Sequence, residues 1–72
     1  MPKIKDLRKA KGMTQKELAE KTGLNMRTLQ HYEQGSKDLN MAAAITVHAL
    51  AEALGVRMEE LLDFENIKEA KQ

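Results

Sequence analysis

The chain has 72 residues, with 12 Lys and Arg against 11 Asp and Glu and no cysteine. A core this small supports one domain, and the lack of thiols excludes disulfide staples and thiolate metal sites, which suits a reducing cytoplasm. No apolar run approaches the ~20 residues of a membrane span, and no signal-peptide block opens the chain, so a soluble cytoplasmic protein is expected. The net charge of +1 conceals an asymmetry. Residues 1–37 hold nine Lys and Arg against four acids, a surplus of +5, whereas residues 38–72 hold three against seven, a deficit of −4. A basic half can attract a polyanion, although an ordinary mixed surface explains the same count equally well.

The apolar spacing predicts helices and no strand, since alternation nowhere persists for strand length. Pro2, Ile4 and Leu7 begin a first helix, which Gly12 can close behind Lys9 and Lys11. Thr14 and Glu17 form a T-x-x-E capping box for a second helix, which turns Leu18 and Ala19 inward and stops at Gly23. Asn25 caps a third, Met26 to Gln34, with Leu29 and Tyr32 on one face and Gly35 at its end. Lys37 and Asp38 form a polar connection, and Asn40 is the expected cap of a long fourth helix running through Leu54. Gly55 closes that helix. A short fifth helix is predicted from Met58 to about Phe64, with Glu59 and Glu60 in its first turn, where the dipole favours acids. Residues 1–64 thus read as one all-α domain of five helices and 65–72 as a polar tail.

Two short helices joined by a glycine turn form a helix-turn-helix, whose second helix can enter the major groove of DNA. Ala19 is small where the two helices must cross, and Gly23 sits where the turn needs positive φ. Leu18, Leu29 and Tyr32 are placed to lock the pair onto the core. Met26, Arg27, Gln30, His31 and Gln34 are left pointing outward, a row without an acid. Arg27 in the first turn can fork onto guanine O6 and N7. Gln15, at a helix start, can meet a phosphate.

At these residues the chain resembles the phage-repressor and Cro-like, or Xre-type, family of helix-turn-helix regulators. The elements that carry the likeness are TQKELAEKTGLN, LQHYEQG, LAEALGV and EELLD, within residues 3–63. The resemblance implies a compact five-helix bundle of the lambda-repressor-like type. It also implies that Gln15 bonds a phosphate, and that Asn25, Met26, Arg27, Thr28 and His31 meet base edges or nearby phosphates. Lys37 then lies in a loop that follows the DNA backbone, and Arg8 with Glu33 matches an ion pair that ties helix 1 to the recognition helix. Two features depart from the family pattern. The segment before helix 4, KDLNMAAAITVHA, is longer than in the shortest relatives, and Arg57 stands where a Ser or Thr often caps helix 5.

Each assignment has a plainer competitor. Most exposed arginines are only solvated, and Met26 can be core rather than a contact to a thymine methyl. The five methionines read as gap-fillers. His48 has no second ligand at metal spacing and reads as surface or structural. Catalysis has no support, because the lone Ser36 has no assigned base and no phosphate-cradling glycine loop is present. The expected function is therefore sequence-specific binding of double-stranded DNA by a transcriptional repressor, without enzyme activity, cofactor, metal or small-molecule effector. Gln15, Asn25 and Lys37 would set the register on phosphates, and Met26, Arg27, Thr28 and His31 would read bases. The partner would be a palindromic operator bound by a homodimer, with Met58, Leu62, Phe64 and Ile67 as the pairing surface. The competing expectation keeps the fold but makes it a protein-interaction module, such as an antitoxin-like subunit or a bridging factor.

Overall fold

Helix-stop signals recur every ten to twelve residues in the first half of the chain, and each is used. The computed structural model describes residues 3–62. Five α-helices follow in order: α1 Lys3–Ala10, α2 Gln15–Thr22, α3 Met26–Gln34, α4 Ala44–Leu54 and α5 Met58–Leu61. No strand occurs among the described residues.

The caps are local and specific. Behind α1, the Met13 amide donates to the Arg8 carbonyl at 3.1 Å and Gly12 donates to Lys9 at 3.0 Å, a Schellman closure. Thr14 and Glu17 form the reciprocal capping box on α2: Glu17 N–H donates to Thr14 Oγ1 at 3.1 Å, and Thr14 N–H donates to Glu17 Oε1 at 2.9 Å. Asn25 Oδ1 accepts the Arg27 amide at 2.8 Å and starts α3. The turn between α2 and α3 passes through Gly23 at φ +73°, left-handed backbone that a Cβ would strain.

These stops fold three of the short helices against α4. It packs on α2, α1 and α5, while α3 packs on α2 and α1. Leu18, Leu29, Leu50 and Leu54 are fully buried, and Ala19 of α2 is buried at 7% exposure. Tyr32 lies half-buried against this core.

Two boundaries differ from the sequence expectation. Asn40 does not cap α4. Asp38 accepts the Asn40 amide at 3.0 Å and starts a short 3-10 turn over Leu39–Met41 instead. Ala42 and Ala43 then run extended, and α4 begins at Ala44 with no side-chain cap. The reason is packing: the 3-10 turn sets Leu39 and Ala42 against the core, which outweighs the helix propensity of the alanine run. At the other end, α5 stops at Leu61 because Leu62 is extended at φ −96° and ψ 152°. Phe64 and Ile67 lie outside the described residues. Met58 and Leu62 pack partly against the core. The Arg57 departure costs α5 only half a cap: Glu60 still accepts the Arg57 amide at 2.8 Å.

Candidate nucleic-acid interface

The 3.6-residue repeat of α3 buries Leu29 and Glu33, four apart, and leaves a second face outward. On that face Met26 is 40% exposed, Arg27 and Gln34 are exposed, and Thr28, Gln30 and His31 are half-buried. Glu33 is the one acid in α3, and it is only 2% exposed. Its charge is turned away from the outer face and neutralised by Arg8, itself 8% exposed.

That pairing is a fork. Arg8 Nε donates to Glu33 Oε2 at 2.7 Å and Nη2 donates to Oε1 at 3.2 Å, while Nη1 donates to the Met13 carbonyl at 2.8 Å. The guanidinium therefore ties α1 to α3 and to the turn before α2. Burial pushes the Glu33 carboxyl up, but hydrogen bonds from Arg8 and Gln15, with the charges of Arg8 and Lys5, outweigh it. The carboxyl is held below the ordinary glutamate range.

Gln15 opens α2 beside this pair. Its Nε2 donates to Glu33 Oε1 at 3.0 Å, and its Oε1 accepts from Gln30 Nε2 at 3.4 Å. Helix geometry leaves the backbone N–H groups of Gln15 and Lys16 without partners inside the helix, since no helical carbonyl lies four residues before them, whereas the N–H of Glu17 is capped by Thr14. The start of α2 and the outer face of α3 are thus side by side. Asn25 commits its side chain to capping α3, so its amide group is available to a ligand only in part.

His31 is less open than its helical position implies. Its Nδ1 lies 3.0 Å from Ser36 Oγ, and the His31 carbonyl accepts the Lys37 amide at 3.2 Å, which folds the loop back on the helix end. The Nε2 edge remains for a ligand. Lys37 is exposed, and its ammonium stands 6.0 Å from the Tyr32 ring centroid, within cation–π range. Sequence reasoning missed the Ser36 contact and the Gln15–Glu33 bond. Only the serine next to Gly35 hinted at the first, and nothing in the spacing hinted at the second. His48 is on the exposed side of α4, paired with Glu52 at 2.7 Å. Among the described residues no group of three His, Cys, Asp or Glu could hold a metal ion.

A capped helix, a left-handed glycine turn and a second helix with an acid-free outer face define a helix-turn-helix. The helix-turn-helix family model matches residues 4–61, and the chain belongs to that family of DNA-binding regulators, in its Cro/C1 type. The chain is similar in structure to the restriction-modification controller protein C.AhdI from Aeromonas hydrophila. The two superpose with a TM-score of 0.71 and share 30% identity over 82% of this chain and 85% of that one. No curated protein matches the chain in sequence.

Proposed function

We propose that this protein is a cytoplasmic transcriptional regulator that binds double-stranded DNA sequence-specifically and represses by occlusion. Helix α3 lies in the major groove, with Arg27, Met26, Thr28 and His31 toward the bases. Gln15, Asn25 and Lys37 hold the phosphates. The observation that carries this reading is the charge of α3: its single acid is buried against Arg8, so nothing on the outer face repels a polyanion. Similarity to a restriction-modification controller protein supports a regulatory role. The protein acts as a two-fold dimer on a palindrome, because one short helix makes too few base contacts to discriminate alone.

The competing reading is a protein-interaction module of the same fold. It is favoured by Met41 and Ile45, apolar side chains left 82% and 78% exposed beside the start of α4. In the DNA-binding reading the same pair is the apolar surface open to a second copy. A salt titration against random duplex separates the two. Binding through phosphates weakens steeply and log-linearly with salt. A chain that fails to bind duplex at low salt, or binds with no salt dependence, is not a DNA regulator.

A further inference from the structure

We infer that Glu33 is a positioning residue for the phosphate contact, acting through the side chain of Gln15. This rests on the DNA-binding reading and extends it to a residue that itself never meets DNA. A carboxylate only accepts, so the end of the Gln15 amide that faces Glu33 must be the NH2 group. The 3.0 Å bond to Glu33 Oε1 fixes that end, and Gln30 Nε2 at 3.4 Å meets the carbonyl end. Both ends of the amide are thereby set, and its plane directs the second Nε2 hydrogen. That hydrogen and the unpaired backbone N–H groups at the start of α2 are the donors offered to one phosphate.

Glu33 can hold this orientation because it is itself immobilised. The Arg8 fork occupies Oε2 at 2.7 Å and shares Oε1 at 3.2 Å, and both partners are buried. A neutral amide at position 33 presents its own NH2 or a single carbonyl, so the Gln15 side chain can turn. The order of the clamp is then lost without removing any group that touches DNA.

Plain electrostatics predicts the opposite sign, which makes the idea testable. Removing a negative charge from a DNA-binding domain should tighten its hold on DNA. On this inference Glu33→Gln loosens it. The experiment measures affinity for a random duplex of the folded wild type, Gln15→Ala, Glu33→Gln and the double variant, over a range of salt. Each single variant is expected to lose about ten- to a hundredfold, the weight of one hydrogen bond to a charged group, and the double variant no more than either. The salt slope should not change for Gln15→Ala, since the lost contact releases no counterion. Wild-type or tighter binding by Glu33→Gln overturns the inference, as does a double variant whose loss is the product of the two.

If Glu33→Gln does not fold, proton exchange in the free wild-type protein decides. One side-chain amide proton of Gln15 should exchange more slowly than those of the exposed Gln34, and equal exchange overturns the inference. Wild type that fails to bind duplex defeats the DNA-binding reading itself. Wild type that binds without coupling between positions 15 and 33 defeats only this step.

Discussion

Arg8 and Glu33 are buried charges that satisfy one another. Removing the guanidinium leaves a carboxylate at 2% exposure with Gln15 as its remaining side-chain hydrogen bond. Arg8→Ala should therefore cost about 3–5 kcal/mol by urea unfolding. Arg8→Met with Glu33→Leu should cost far less than the sum of the single changes, and additive losses would show that the pair is not coupled. The same pair sets a pH dependence. The folded-state carboxyl lies below its ordinary value of 4.5, so the unfolded chain takes up the proton first as pH falls past that value. Stability from this group is complete above that range and is lost as pH drops through the depressed folded value. The acid limb should flatten in Glu33→Gln, and an unchanged limb would assign the dependence to other carboxylates. On the outer face the expectations concern DNA. Arg27→Ala should cost about 1–3 kcal/mol on a preferred site and relax preference at one base pair. Gln15→Ala should weaken all duplexes alike, because phosphates carry no sequence. Equal losses from Arg27→Ala on cognate and random DNA would show that Arg27 reads no base.

Among the elements, the turn between α2 and α3 has a cost that can be isolated. A Cβ built on Gly23 meets nothing within 4 Å, so only its φ of +73° resists substitution. Gly23→Ala should then destabilise by about 1–2 kcal/mol, and Gly23→Asn by less, since asparagine tolerates left-handed backbone. Denaturant unfolding gives both numbers, and an asparagine as costly as alanine would mean that something other than φ is at stake. The α2 and α3 boundaries were legible in the sequence for the same reason that this test is clean. Thr14 with Glu17, Asn25 and the glycines act through bonds that span two to four residues, so each announces itself locally. The start of α4 was not legible. The run from Met41 to Ala44 has every local mark of a helix, but Asp38 captures the Asn40 amide and the core claims Leu39 and Ala42. The link from Gln15 to Glu33 was invisible for a related reason, as it joins residues 18 apart in sequence whose meeting depends on how α2 crosses α3. The outer face of α3 was readable from periodicity, while the half-burial of His31 needed the loop that brings Ser36 back to it.

For the molecule as a whole, the question is how a domain whose proposed recognition helix, α3, has only nine residues can select a site. Each good base contact contributes about 1–3 kcal/mol of discrimination. The Met26–His31 face can make only a few, which falls short of the specificity a genome demands. Two copies related by a two-fold axis double the sum without any new chemistry, and the axis then requires half-sites about one helical turn apart. We propose a second candidate surface for such pairing beside the one expected from the sequence. Met58 and Leu62 are partly used inside the domain, whereas Met41 and Ile45 stand in solvent. Burying both side chains on each of two copies contributes about 6–12 kcal/mol, taking about 1.5–3 kcal/mol per fully buried side chain, and the cost of association, about 4–15 kcal/mol, offsets most of it. In the proposed dimer, association that weak would leave free chains largely monomeric at low concentration, and DNA would assemble the pair by holding two of them in register. Affinity and stoichiometry on duplexes with one half-site, and with two at stepped separations, should reveal this. The expected outcome is one protein on a single half-site and cooperative binding of two only when the separation places both on the same face of the duplex. Ile45→Lys should abolish the cooperativity while leaving single half-site affinity within about twofold, since a lone exposed substitution changes stability by no more than ~0.5 kcal/mol. Binding that ignores half-site separation would leave a monomeric reader, and the missing specificity would then have to come from another protein bound beside it.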